Sequence, residues 1–172
     1  MTNPQIDAAQ SVECRRGRQT QRNPFLGLTK ISTLLPVLFP VHPRTRQRLM
    51  CFEKFASPKI RLLEPQGYLD FLSLTESARV VVTDSGGIQE ETCYLGIPCL
   101  TIRTNTERPV TVACGTNRLV PPKASAMIEA AQSSLASNGR HHEIPEYWDG
   151  QTAKRIVDIF RARCVESQHA LS

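Results

Sequence analysis

Short apolar runs alternate with longer amphipathic stretches along this chain. Runs typical of buried parallel strands lie at 34–43, 59–65, 79–84, 98–102 and 116–120. Segments with helical spacing lie between or after them, at 45–55, 67–78, about 87–94, 106–115, 125–137 and 149–165. Strands that alternate with helices are typical of a parallel sheet covered on both faces. The predicted fold is therefore α/β, with a single Rossmann-like doubly wound parallel sheet.

The first part of the chain has no such pattern. Residues 1–30 are polar and arginine-rich, so we predict a poorly ordered basic segment there and a Rossmann-like domain over 31–168. A chain of 172 residues is long enough for one domain with a real core, or for one half of a two-domain enzyme.

The formal net charge of +5 is unevenly distributed, because arginines cluster at 15–22 and again at 44–48. A basic surface attracts nucleic acid, but the sequence has no nucleic-acid motif and its aromatic content is only 6%. We interpret the excess as a basic tail and a solvated helix face, and expect no nucleic-acid partner. Positive charge also suits a site for a phosphorylated small molecule.

The remaining composition favours a cytoplasmic protein. No apolar run approaches the ~20 residues of a membrane helix, and the first thirty residues lack a signal-peptide core, so we expect no membrane association. The cysteines show no CxxC spacing, and we expect free thiols rather than disulfides or a metal site. They are Cys14, Cys51, Cys93, Cys99, Cys114 and Cys164.

One stretch, VTDSGGIQEET, carries the candidate chemistry. A strand ends at Asp84, and Ser85, Gly86 and Gly87 open the helix that follows. Ligands of such sheets bind beyond the carboxyl ends of the strands, and glycine lets the backbone come close to them. The free N–H groups and positive dipole end of a helix favour a phosphate or diphosphate. Ser85 is either a hydroxyl donor to that group or the helix cap, and the two roles are compatible.

Two adjacent carboxylates, Glu90 and Glu91, follow one turn later. A carboxylate accepts hydrogen bonds from vicinal hydroxyls, so either residue suits a ribose beside the diphosphate. The alternative is that both only complement the helix dipole. The pattern alone leaves these two interpretations open.

Four motifs occur in order: EPQGYLDFLSL, VTDSGGIQEET, LGIPCLTIR and NTERPVT. Together they closely resemble the C-terminal domain of the non-hydrolysing UDP-N-acetylglucosamine 2-epimerases, and FPVHPRT and DGQTAKRIVDI fit the same family over roughly residues 36–165. The resemblance implies one half of a glycosyltransferase-B-like two-domain fold. It also implies interconversion of UDP-GlcNAc and UDP-ManNAc by elimination and re-addition of UDP, without a cofactor or metal.

The resemblance assigns roles to individual residues. It places the diphosphate at Ser85, Gly86 and Gly87 and the ribose on Glu91. Gln66 and Phe71 would contact the uracil, Arg108 would face the phosphates, and His42 would lie in the cleft or near an activating second nucleotide sugar. Phe71 also suits a helix core position, Arg108 also suits an ion pair with Glu107 or another acid, and a lone histidine such as His42 is more often structural.

The sequence departs from the family in its catalytic groups. The carboxylates that handle the C2 proton belong to the family's N-terminal domain, and TQRNPF (20–25) lacks the histidine of the expected interdomain motif. We therefore expect a truncated form whose catalytic residues are unknown, working as a homodimer or with a partner that supplies the N-terminal half. The alternatives are a UDP or UDP-sugar binding module without turnover, and the donor-binding half of a glycosyltransferase.

Overall fold

The structure is a computed structural model that describes residues 24–42, 45, 57–113, 115–137 and 143–169, with side chains as far as residue 163. Six helices are described: α1 (Pro24–Ile31), α2 (Tyr68–Glu76), α3 (Gly86–Leu95), α4 (Pro109–Ala113), α5 (Ala124–Ala136) and α6 (Thr152–His169). The strands are β1 (Val37–Pro40), β2 (Ile60–Leu63), β3 (Val81–Thr83), β4 (Cys99–Thr101) and β5 (Asn117–Leu119).

All described strand pairs are parallel, as predicted, but they form two hydrogen-bonded groups. In the first, β1 lies beside β2 with Val37 opposite Ile60. The second has the order β3-β4-β5, with Val81 opposite Cys99 and Cys99 opposite Asn117. The predicted helix at 45–55 lies outside the described residues except for Thr45.

Successive residues of β3 point to opposite faces of its sheet, and each face has its own apolar cluster. Val82 belongs to the larger cluster, which α1 and α5 cover and which also contains Phe39 of β1, so the two strand groups share this core. Val81 belongs to the smaller cluster, against which Ile88 and Leu95 of α3 pack. Helices on both faces confirm the doubly wound α/β fold.

The packed part of the chain begins before the predicted boundary at residue 31. Helix α1 starts at Pro24, and its buried positions Phe25, Leu28 and Ile31 face the larger cluster. Gly27 allows α1 to lie close against α5, because a Cβ at Gly27 would be only 2.3 Å from Sδ of Met127. Residues 1–23 lie outside the described part of the chain.

Among the described residues, Cys93 in α3 and Cys99 in β4 are fully buried thiols that form no disulfide. Burial raises the pKa of the Cys99 thiol to about 11, and hydrogen bonds with Thr92 and Thr101 oppose this shift only in part. Cys14, Cys51 and Cys114 lie outside the described residues, as does the side chain of Cys164.

Candidate functional site

The turn after β3 has the geometry of a helix start whose cap is left open. Thr83 is fully buried, and its Oγ1 accepts a hydrogen bond of 3.0 Å from the backbone N–H of Ser85. Ser85 is the N-cap of α3 with extended backbone angles, yet its side chain makes no capping hydrogen bond. The hydroxyl is thus not used as the helix cap and remains suited to donate to a ligand.

Gly86 and Gly87 form the first turn of α3, where backbone N–H groups have no partner inside the helix. A Cβ added at either glycine would meet no atom within 4 Å. Open space therefore lies beside both glycines, on the side where a Cβ would project. At the other end of α3, Gly96 takes the left-handed conformation, with φ of 69°, and ends the helix.

A cavity of about 500 Å³ opens at this turn. It brings together most of the residues predicted from the sequence with several others, since it is lined by Pro40, Val41, His42, Pro65, Gln66, Phe71, Asp84, Ser85, Gly86, Ile88 and Arg103. The cavity thus lies beyond the carboxyl ends of β1, β2, β3 and β4, where such sheets bind ligands.

The side chains predicted to contact a base lie in this cavity. Phe71 is half-buried on α2, so its ring lines the cavity while part of it also packs against the protein. The amide of Gln66 donates a 2.6 Å hydrogen bond to the carbonyl oxygen of Glu64, which holds the side chain in place. His42, at the exit of β1, is exposed and also lines the cavity.

Glu91 and Arg108 do not line this cavity. Glu91 lies one turn along α3 and borders a second, more apolar cavity of about 410 Å³, together with Tyr68, Leu72, Glu90, Tyr94, Leu95 and Trp148. Nε of Arg108 lies 2.9 Å from Oε1 of Glu90. The N–H direction does not meet hydrogen-bond geometry, so the contact is an ion pair alone, and its acid is Glu90 rather than Glu107.

Glu91 carries an unsatisfied acceptor, because its Oε2 atom is buried and receives no hydrogen bond. Loss of water around the carboxyl group raises its pKa above the ordinary value, and the neighbouring charge of Glu90 raises it further. A hydrogen-bond donor from a ligand would offset the free-energy cost of burying the Oε2 atom without a partner. Vicinal hydroxyls are donors of the required kind.

Sequence reasoning missed one basic residue of the cavity, Arg103. It lies two residues past the end of β4, at the same edge of the sheet as the Ser85–Gly86 turn. Its position just past a predicted apolar strand could have identified it as a candidate site residue. Within the described ranges, no group of three or more histidine, cysteine or acidic side chains is arranged to hold a metal ion, and none of the helices there is long and apolar enough to cross a membrane.

Comparisons with known proteins agree with the sequence motifs. The sequence profile of the UDP-N-acetylglucosamine 2-epimerase family matches residues 15–161. The UDP-N-acetylglucosamine 2-epimerase of Methanocaldococcus jannaschii is 42% identical over 127 residues, which are 72% of this chain and 34% of that protein. This chain therefore spans about a third of the length of that relative.

Solved structures give the same result. The Methanocaldococcus jannaschii UDP-GlcNAc 2-epimerase in complex with UDP-GlcNAc and UDP superimposes with a TM-score of 0.73 at 36% identity, over 91% of this chain and 46% of that one. A glycosyltransferase, the one of kitacinnamycin, is 17% identical and superimposes with a TM-score of 0.50 over 80% of this chain and 37% of that one, which shows a shared fold alone. The fold is thus one half of a glycosyltransferase-B-like architecture, and the chain belongs to the UDP-N-acetylglucosamine 2-epimerase family.

Proposed function

We propose that this chain supplies the UDP-binding half of a UDP-GlcNAc 2-epimerase. The observation that carries the proposal is the Ser85–Gly86 turn, where the N-terminus of α3 faces a cavity that also contains Gln66 and Phe71. Open helix N–H groups and the helix dipole favour a diphosphate at the turn, with Ser85 and Gly87 as further contacts. Phe71 then takes the uracil face and Gln66 a polar edge of the base.

The ribose is proposed to lie between the two cavities, on Glu91. The buried and unpaired Oε2 atom of this residue supports the assignment, because ribose hydroxyls would donate to it. The alternative role of Glu91, complementing the helix dipole, does not account for an unsatisfied acceptor one turn into α3. Glu90 fits a different role, since it pairs with Arg108.

Two arginines are proposed to serve the phosphates in different ways. Arg103 lines the cavity and is suited to direct contact with the diphosphate. Arg108 lies beside Glu90, and its buried Nε atom has no hydrogen-bond acceptor. We therefore assign Arg108 to the outer side of the phosphate site and His42 to the part of the cavity nearest β1.

The reaction at C2 of the sugar needs a base on one face and an acid on the other. The residues assigned above bind the nucleotide, which lowers KM without supplying the chemical step. We therefore propose that an N-terminal half, on the same polypeptide or on a separate partner, provides the acid, the base and the remaining wall of the site. The chain is also proposed to pair with a second copy, and the complete assembly to interconvert UDP-GlcNAc and UDP-ManNAc. The full length of the relatives, about three times the matched part, supports this division.

Calorimetric titration with UDP tests the binding site. Gly86→Val places a branched side chain in the open space before α3 and should abolish measurable binding, while the absence of atoms within 4 Å predicts that the fold tolerates the change. Ser125→Val is the matched control, because it adds a similar side chain at the start of α5. Equal affinity of the wild type and Gly86→Val would place the site elsewhere.

A non-catalytic binding module is the second candidate, because the cavity-lining residues assigned above serve nucleotide contacts and not the C2 proton. Deuterium exchange at C2 of UDP-GlcNAc in heavy water separates the two. We expect no exchange with the chain alone and exchange once the missing half is added. Exchange by the chain alone that Glu91→Gln abolishes would show that this half carries its own base.

A further inference from the structure

Gln89 of α3 is a fully buried amide with three hydrogen bonds. Its Nε2 atom donates to the carbonyl oxygen of Ser85 over 3.1 Å. Its Oε1 atom accepts from Oγ1 of Thr106 over 2.6 Å and from Nδ2 of Asn117 over 2.9 Å. One side chain thus joins the turn before α3, the loop before α4 and strand β5.

The hydrogen-bond network extends from Gln89 to the backbone of Arg108. The N–H of Arg108 donates to Oγ1 of Thr106 over 2.9 Å. Its carbonyl oxygen accepts from Oγ1 of Thr111 over 2.7 Å, and Thr111 in turn accepts from Nδ2 of Asn117 over 3.0 Å. The backbone N–H and the backbone carbonyl of Arg108 are therefore both held by threonines that are bonded to Gln89 or Asn117.

The donors and acceptors of this network are mutually consistent. Each threonine hydroxyl donates once and accepts once, and Asn117 Oδ1 accepts a further bond of 2.6 Å from Oγ1 of Thr101. A buried polar network in which each side chain has hydrogen-bond partners restricts geometry more than an apolar core of the same volume. Apolar side chains at these positions would avoid the desolvation cost, so the polar choice indicates a requirement for fixed orientation.

The two ends of the network are parts of the proposed phosphate site. One end is the Ser85 carbonyl, at the turn that faces the cavity, and the other is Arg108. We propose that Gln89 is a positioning residue that holds the N-terminus of α3 and the Arg108 segment in one fixed arrangement for a diphosphate. This inference rests on the proposed UDP site and adds the residue that sets its geometry.

The test compares UDP with uridine, which lacks the phosphates, by calorimetry or NMR titration of the full chain. Thr106→Val keeps the shape of the side chain but breaks the link between Gln89 and the Arg108 backbone. UDP should bind about tenfold weaker, while uridine stays within about twofold. Thr104→Val makes the same change in the same loop at an exposed position and should leave both affinities unchanged.

Two further variants define the role. Gln89→Met removes all three hydrogen bonds at similar volume and should show the same selective loss for UDP. Thr106→Ser keeps the hydroxyl and should restore UDP binding. The stoichiometry of uridine binding reports the folded fraction, so an unfolded variant is recognised by fewer binding sites for both ligands rather than by a weaker affinity.

The outcomes separate the two proposals. Selective loss of UDP affinity in Thr106→Val, with rescue by Thr106→Ser, supports the positioning role. Equal loss of uridine and UDP, or no loss of either, overturns it while the UDP site stands. A wild-type chain that binds uridine and UDP equally well would overturn the diphosphate site itself and the positioning role with it.

Discussion

Helices α3 and α6 place polar and apolar side chains in opposite ways. Helix α3 buries Gln89, Thr92 and Cys93 against groups of the same chain, and the two polar members have hydrogen-bond partners. Helix α6 instead leaves apolar side chains exposed, with Ile156 at 48%, Val157 at 45%, Ile159 at 57% and Phe160 at 66%. The first helix finds its partners inside this chain, whereas the apolar side chains of the second are exposed in the described structure.

This difference between α3 and α6 indicates which part of the proposed function depends on residues of this chain alone. The α3 side contains the turn, the cavity and the buried network, so the residues of the proposed nucleotide site already lie together there. Exposed apolar side chains that lie together favour association with another surface. On α6, Ile156, Ile159 and Phe160 have the spacing of one helix face, which agrees with the proposed second copy or partner.

The largest expected effect is on stability, and one residue type tests both regions. Ile97 follows α3 and is fully buried, whereas Ile159 of α6 is 57% exposed. We expect Ile97→Ala to lower the free energy of unfolding by about 3 kcal/mol, because it leaves a cavity in the smaller cluster. Ile159→Ala should change it by less than about 0.5 kcal/mol. Urea unfolding measures both, and similar costs would show that α6 packs against its own chain.

The next effect concerns association. We expect the wild-type chain to self-associate at high concentration, and replacement of Ile159 and Phe160 by glutamine to weaken the association more than about tenfold. Leu69→Gln is the control, since Leu69 is 76% exposed on α2, outside this face. Sedimentation or light scattering over a concentration series measures the change. A monomeric wild type would contradict the role assigned to α6.

The smallest expected effect is a pH dependence of stability caused by Glu91, the unsatisfied carboxylate of α3. The raised pKa of Glu91, caused first by desolvation and then by Glu90, means that the folded protein binds the proton more tightly than the unfolded chain. Stability therefore falls as pH rises from about the ordinary value of 4.5 through the raised one, and the penalty is fully present above it.

Removing this carboxylate should accordingly stabilise the fold at neutral pH. We expect Glu91→Gln to melt above the wild type at pH 7 and the difference to vanish as the pH falls below about 4.5. The gain should be well under the effect at Ile97, because the group is partly solvated. Glu129→Gln on α5 is the matched control. A variant less stable than the wild type at pH 7 would mean that ionised Glu91 stabilises the free protein.

The positions of Gln66 and Phe71 beside Ser85 were implied by the family resemblance, whereas local pattern was enough to predict the strands and the glycine turn at one edge of the sheet. Those features depend on which residues follow a buried run, which the sequence shows directly. The assignments of residues as ligand contacts, Glu91 and Arg108 included, stay predictions. The ion pair of Arg108 was foreseen as an alternative, but its partner was not, because Glu90 is distant in sequence.

The missed features depend on contacts between distant parts of the chain. Helix α1 was not predicted because its apolar positions lie beside an arginine-rich stretch, and its fit to α5 depends on the contact between Gly27 and Met127. Gln89 lies between Ile88 and Glu90, and nothing in the sequence distinguishes it from an ordinary polar residue of a helix. Its burial follows from the loop before α4 and from β5, neither of which local periodicity describes.

The rate at which the buried thiol of Cys99 is alkylated can report how often the centre of this fold opens. Alkylating reagents attack thiolates that they can reach, and a fully buried thiol with a pKa of about 11 offers neither thiolate nor access at neutral pH. Cys99 lies in β4, the middle strand of its sheet, so it becomes modified only in molecules whose central strand has opened. Its labelling rate, measured by peptide mass spectrometry, therefore reports the frequency of those openings. A bound nucleotide that bridges the edge of the sheet would lower this rate.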